Sequence, residues 1–132
     1  MSDPSVCVQF DDDHRVFQPG EVLSGSFHLA AVGGREVEAV ELSVLWYTEG
    51  KGDEDMMVHH FEALTSEEGR IDPGPVRRFA VRLPQSPLSY DGLIVRVRWC
   101  VRVRAAIAGW RDRVAEAPFR LGDVAAAVEN TP

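Results

Sequence analysis

Residues 83–104 read LPQSPLSYDGLIVRVRWCVRVR, a turn rich in proline and glycine followed by a long run of alternating side chains. From Val95 to Val103 every second residue is apolar. The positions between hold Cys100 and four arginines, Arg96, Arg98, Arg102 and Arg104. A repeat of two residues is typical of a β-strand that has one face in the core and the other in water. The stretch therefore predicts a long amphipathic strand, which could continue to residue 108.

The rest of the chain shows the same pattern in shorter runs. Further strands are predicted at residues 6–10, 21–29, 40–47, 56–64, 78–83 and 113–121, with turn-forming residues between them. Gly25 shares the apolar face of its strand, which indicates a bulge or the close approach of another segment. Seven or eight strands spaced by about ten residues, without any helical period, predict two packed antiparallel sheets. We expect one domain over residues 1–122 and a loose tail over residues 123–132.

The charge of the chain is distributed unevenly. Residues 1–75 contain 16 acidic and 4 basic residues, a net charge of -12, whereas residues 76–132 contain 5 acidic and 10 basic residues, a net charge of +5. Strands from the two halves interleave in an antiparallel fold, so cross-strand ion pairs are expected. The overall net charge of -7 argues against nucleic acid as a partner, because such binding needs a strongly basic surface.

The sequence favours a cytoplasmic protein without a membrane span. The first residues lack the basic and apolar regions of a secretory signal, and no run approaches the about 18 apolar residues of a transmembrane helix. Cys7 and Cys100 both occupy positions out of phase with the core-facing residues of their strands. We therefore expect two reduced thiols rather than a disulfide.

Three phrases of the sequence together resemble the arrestin family. The first is FQPGEVLSGSF at residues 17–27, and the second is VEAVEL at residues 37–42, which continues to Trp46. The third is Leu83-Pro84 followed by PLSYDG at residues 87–92 and the long strand. The phrases occur in the family's order and together span residues 17–104.

This resemblance implies an immunoglobulin-like antiparallel β-sandwich of the arrestin-lobe type, related to retromer-type arrestin relatives and bacterial sporulation-control proteins. Such proteins are adaptors without catalytic activity that bind membrane-protein tails, trafficking machinery or scaffold components through sheet faces, edges and loops. Arrestins have two lobes, and this chain has room for one. A second lobe would have to come from another copy or another chain, and no phosphate-sensor residue of the family can be assigned here.

The arginine row is one candidate partner-binding surface. Arg96, Arg98, Arg102 and Arg104 project from one side of the strand, with neighbouring positions about 6.6–7 Å apart, and could present guanidinium groups to carboxylates or phosphates. The alternative is a solvated face whose arginines pair with glutamates such as Glu41. Trp110, in a predicted turn, is a second candidate, either as an anchor for a partner or as a cap on the sandwich. The run Met56-Met57-Val58 with Phe61 is either an adaptable binding surface or ordinary edge packing.

Two acidic clusters are candidate cation sites, namely residues 11–14 and residues 53–55 with His59 and His60. Such oxygen-rich clusters suit calcium or magnesium, but neither resembles an EF-hand loop. Adjacent histidines are also expected to point to opposite faces of a strand. No nucleophile with an adjacent base is recognisable, and no phosphate-binding or dinucleotide motif is present. We therefore expect no metal, no cofactor and no catalytic residues.

Three hypotheses follow for the function. The first is a non-catalytic adaptor or scaffold domain that binds a partner protein by strand addition or through a sheet face. The second is a structural homo-oligomer, in its simplest form a homodimer assembled through edge strands. The third, which the sequence favours least, is a cation-dependent enzyme that uses the acidic turns.

Overall fold

The computed structural model describes residues 3–52 and 54–122, which form a β-sandwich. Its strands are β1 (Ser5–Phe10), β2 (Val16–Phe17), β3 (Val22–Ala30), β4 (Val37–Gly50), β5 (Met56–Thr65), β6 (Arg77–Arg82), β7 (Tyr90–Asp91), β8 (Val95–Ile107) and β9 (Arg113–Leu121). One turn of 3₁₀ helix at Ser66–Glu68 follows β5. The predicted tail, residues 123–132, lies outside the described residues.

The two sheets have different widths. The small sheet has the order β1-β3-β6, and the large sheet has the order β2-β9-β8-β4-β5, with the short β7 paired to β8. All pairs are antiparallel except β2 with β9, which is parallel. The prediction of two packed sheets is thereby confirmed. Seven strands have six or more residues, and the other two, β2 and β7, have two residues each.

Strand β8 supplies the centre of the core, as its alternation predicts. Trp99, Val101 and Val103 are completely or almost completely buried. The indole Nε1 of Trp99 donates a hydrogen bond to the main-chain oxygen of Pro87 at 2.7 Å, so its one polar atom is satisfied inside the core. Burial of side chains of this size stabilises the fold by about 1.5–3 kcal/mol each.

One side of the sandwich is closed by aromatic side chains. The chain passes there from β1 in the small sheet to β2 in the large sheet. The ring of Phe17 meets those of Phe10 and Phe119 edge-on, with centroids 5.9 and 5.7 Å apart, and Trp99 lies 5.8 Å from Phe119. These rings fill the space between the two sheets along this side, where edge-on contacts are favourable.

Gly25 on β3 lies where two other segments approach closely. A Cβ atom at this position would stand 2.3 Å from the main-chain oxygen of Gln9 and 2.8 Å from the ring of Phe79. The close approach predicted from the sequence is therefore confirmed. Only glycine allows β1 and the Phe79 ring to pack at this distance from β3.

Candidate protein-interaction surface

Strand β5 forms a free edge of the large sheet. It pairs with β4 on one side, and no strand among the described residues pairs with its other side. None of its ten side chains is buried, and five large apolar ones are substantially exposed: Met56, Met57, Val58, Phe61 and Leu64. The exposed fraction reaches 60% for both methionines and 54% for Phe61. A long apolar edge with unpaired main-chain groups is a template for the addition of another strand.

A β-bulge interrupts β5 at His59. Val44 of β4 stands opposite His60 and Leu45 stands opposite Val58, so His59 is an extra residue on the edge strand. The bulge changes the alternation that the sequence predicts, because it adds one residue between the two halves of the strand.

Both histidines consequently lie on the sandwich side of β5. The Nε2 atom of His59 donates a hydrogen bond to the main-chain oxygen of Arg82 on β6 at 2.9 Å. His60 stands opposite the buried Val44, and its Nε2 lies 2.7 Å from Oε1 of Glu62. The expectation that the two rings point to opposite faces is therefore wrong, and the reason is the bulge.

An apolar groove, here called the outer groove, runs along the outward face of the large sheet beside β5. It has a volume of about 220 Å³ and is lined by Glu41, Ser43, Leu45, Met56, Val58, Phe61, Arg102 and Arg104. Leu45 forms its floor and is almost completely buried, while side chains from β5 form one wall. The groove brings two of the predicted arginines next to the apolar β5 edge.

A second depression, here called the seam cleft, opens on the inner side of β5, between the two sheets. It has a volume of about 280 Å³ and is lined by Phe27, Val40, Leu42, Glu62, Ala63, Leu64, Arg77 and Arg78. The β5 and β6 edges face each other here without pairing. Core side chains therefore form the floor of the cleft, and arginines of β6 form one of its walls.

Arg98 and Arg102 of the predicted arginine row are engaged in ion pairs. Arg98 lies 3.2 Å from Glu49 on the neighbouring β4 and 3.1 Å from Asp91 on β7. Arg102 lies 3.3 Å from Glu116 on β9. Strand order places acidic residues on both sides of β8, so the cross-strand pairing that the charge distribution predicts is present here.

Arg104 and Arg96 differ from each other. The guanidinium of Arg104 bonds to Asp112 at 2.6 Å and also to Glu41, the partner suggested by the sequence, which raises the pKa of Arg104. In the described part of the chain, no carboxylate forms an ion pair with Arg96. This side chain lines a depression with Leu93 and Ile94 that is distinct from the outer groove and the seam cleft. The structure thus divides the predicted row into three arginines in ion pairs and Arg96, which stands opposite Asp91 of β7 and has no ion pair among the described residues.

Cys100 lies between the paired arginines and is inaccessible. Its side chain is buried opposite Leu45, and burial raises the pKa of the thiol to about 11, with a further contribution from Glu116. Cys7 is exposed, and both cysteines are free, as predicted.

Trp110 lies in the turn between β8 and β9. It packs against the core, with the guanidinium groups of Arg35 and Arg113 at 4.8 and 5.0 Å from its ring. Contacts of this kind hold an aromatic ring at the end of the sandwich. The arrangement agrees with the capping alternative for Trp110.

Asp11 of the first acidic cluster has a basic partner outside the cluster. Asp11 pairs with Arg78, and this hydrogen bond lowers the pKa of the Asp11 carboxyl group. Within residues 3–52 and 54–122, no three His, Cys, Asp or Glu side chains converge as metal ligands would. Asp53 of the second cluster lies outside the described residues.

Among residues 3–52 and 54–122, no helix has the length and apolar character needed to cross a bilayer.

Sequence comparison gives no match to any family model and none to the curated proteins. Structure comparison finds the crystal structure of Spo0M, a sporulation control protein from Bacillus subtilis, with a TM-score of 0.66 and 18% sequence identity. The match covers 94% of this chain. The fold is that of an arrestin lobe. This arrestin-type lobe matches 51% of the Spo0M chain, about half of that protein's length.

The sequence left two interpretations open for Met56, Met57, Val58 and Phe61 of the β5 edge, namely an adaptable binding surface or ordinary edge packing. Residues 56–64 carry apolar side chains in both phases of the strand, a pattern typical of strands buried on both faces, so no local signal marks β5 as an exposed edge. Methionines at such positions are common in adaptable binding surfaces.

Proposed function

We propose that this arrestin-type lobe is a non-catalytic protein-interaction domain whose β5 edge binds an extended segment of a partner protein. The observation that carries the proposal is the ten-residue edge strand with one unpaired side and five exposed large apolar residues. We propose that the partner is the tail of a membrane protein or a component of a trafficking or scaffold assembly. Because a fold alone does not assign a function, the proposal rests on this edge.

Strand addition would use both depressions beside β5. Main-chain hydrogen bonds to the free edge supply affinity, and alternate side chains of the added strand point to opposite faces of the sheet. One set would lie over the outer groove near Phe61, and the other would lie over the seam cleft near Leu64.

We also propose a cytoplasmic location, since free thiols such as Cys7 are usual in reducing compartments.

Substitution of Phe61 tests this function. Phe61→Lys leaves the core unchanged because the side chain is exposed, yet it places a charge on the edge. The matched control is Val114→Lys, an exposed apolar residue on β9 with 52% of its surface accessible. A partner captured from native cells by the unmodified protein should bind Phe61→Lys at least about tenfold more weakly, and Val114→Lys equally well. Equal binding to all three proteins would contradict the proposal.

A second copy of the chain is the alternative occupant of the same edge. In an antiparallel β5–β5 pair centred on Phe61, His60 would face Glu62 of the second copy, which places an imidazole ring opposite a carboxylate across the pair. Sedimentation of the purified protein distinguishes the two cases. A concentration-dependent dimer that Phe61→Lys abolishes would assign the edge to self-assembly instead of a partner.

A further inference from the structure

A hydrogen bond bridges the seam cleft at one end, and the chain that connects β5 to β6 lies at the other. Toward the start of β5, the hydrogen bond from His59 to the main-chain oxygen of Arg82 links the two facing edges. Toward the end of β5, Leu64 and Arg77 stand on opposite sides of the cleft, with the core residue Leu42 on its floor. An extended segment on β5 would therefore project its inward side chains over an apolar floor beside β6.

The charged side chains at the mouth of the seam cleft differ in whether they already have a partner of opposite charge. The Nη2 atom of Arg77 donates to the main-chain oxygen of Asp72 at 3.0 Å, and no described carboxylate forms an ion pair with it. Arg78 pairs with Asp11, but its side chain remains 63% exposed. The acidic residue of the opposite wall, Glu62, is already bonded to His60.

The size of the cleft limits what it can hold. Pockets for small molecules usually measure about 300–1,000 Å³. The seam cleft, at about 280 Å³, lies just below this range. It suits one or two side chains of a peptide, and a strand places such side chains on one face at every second position, about 6.6–7 Å apart.

We propose that the segment bound by β5 is acidic and apolar, with an apolar side chain in the seam cleft and an Asp or Glu two residues away paired with Arg77. This inference rests on the proposed function, since it requires a strand on the β5 edge. The apolar floor of Phe27, Val40 and Leu42 favours the first side chain. The guanidinium of Arg77, which forms no ion pair with a described carboxylate, favours the second.

The test is a selection from a random library of twelve-residue peptides displayed on phage, with the purified protein as bait. Peptides that also bind Phe61→Lys are removed, so that the remaining binders depend on the β5 edge. These binders should be enriched in an apolar residue with Asp or Glu two positions away on one side of it. Arg77→Glu should weaken them by about tenfold or more and select basic residues at that position instead.

Two further variants make the selection decisive. Arg77→Gln removes the charge without adding an acid, so that a folded variant is at hand if Arg77→Glu is unstable. Arg111→Glu is the matched control, because Arg111 is exposed in the turn between β8 and β9, and β4 lies between β8 and β5. Arg111→Glu should bind the selected peptides as well as the unmodified protein does.

The failures of the two proposals give different results. Edge-dependent binders without any acidic preference, or with affinities that neither Arg77 variant changes, would overturn the acidic motif and leave the edge function intact. If no selected peptide depends on Phe61, both the motif and the edge function are overturned.

Discussion

The Nε2 atom of His59 on β5 lies 2.9 Å from the main-chain oxygen of Arg82 on β6, and this hydrogen bond joins strands of different sheets. Because a carbonyl oxygen can only accept, the imidazole is the donor in this contact. The same ring meets Trp99 edge-on, with 6.2 Å between the centroids. One side chain on the bulge of β5 thus fixes the distance between the two facing edges.

Loss of the His59 imidazole should therefore loosen this side of the sandwich. We expect His59→Ala to lower the free energy of unfolding by about 1 kcal/mol, because it removes one hydrogen bond and an aromatic contact. His59→Gln keeps a donor and should lose less. Urea denaturation measures both variants. If His59→Ala is as stable as the unmodified protein, the bond contributes nothing to holding the sheets together.

Gly25→Ala should be strongly destabilising. The added Cβ would stand 2.3 Å from the main-chain oxygen of Gln9, so β1 and β3 would have to move apart. Forced shifts of this kind cost about 1–3 kcal/mol. Gly34→Ala is the control, since a Cβ there meets no atom within 4 Å. Thermal or urea unfolding should separate the two variants, and equal stabilities would refute the close packing at Gly25.

Cys100 should make the fold sensitive to high pH. Burial raises the pKa of its thiol from 9.0 to about 11, so the folded state holds the proton more tightly than the unfolded state. The resulting stabilisation is complete below pH 9 and is lost as the pH rises through 11. The loss amounts to about 3 kcal/mol for a shift of this size. Cys100→Ala should show a correspondingly shallower decline over the same range in urea unfolding, and parallel pH profiles would contradict the assignment.

Asp91 should contribute to stability at neutral pH and not in acid. It accepts a hydrogen bond from Arg120 at 2.8 Å and lies 3.1 Å from Arg98. The Arg120 bond is the main cause of its lowered pKa. The stabilisation is present above the unfolded-state pKa and disappears as the pH falls through the lower folded-state value.

The variant Asp91→Asn tests this contribution through its pH dependence. It should unfold at a lower temperature than the unmodified protein at pH 7, and the difference should shrink below pH 4. Asp13→Asn, which alters an exposed carboxylate elsewhere, is a suitable control. A difference in melting temperature that persists unchanged in acid would show that the carboxylate charge is not responsible.

The sequence predicts the strands that have one face in the core and says less about the others. Trp99, Val101 and Val103 produce an alternation because every second residue of β8 from Trp99 to Ile107 is buried. Strand β5 has no such signature, since neither of its faces is well covered. The bulge at His59 depends on the register with β4, which involves residues far apart in the chain.

The candidate site was harder to predict than the fold for a related reason. The arginines of β8 and the acids of the first half are visible in the sequence, but which of them pair depends on strand order. Glu41 on β4 and Glu116 on β9 lie on either side of Arg104 and Arg102 because β8 lies between those strands. The seam cleft likewise arises from the meeting of β5 and β6, which no local pattern encodes.

The bulge on β5 also divides the edge at which we propose that a partner binds. From His60 to Thr65 the strand continues in unbroken register for six residues. This corresponds to about 20 Å of extended chain. A segment this short can come from a disordered tail, which becomes ordered only on binding and gives up part of its affinity in doing so. The proposed complexes at this edge should therefore exchange rapidly.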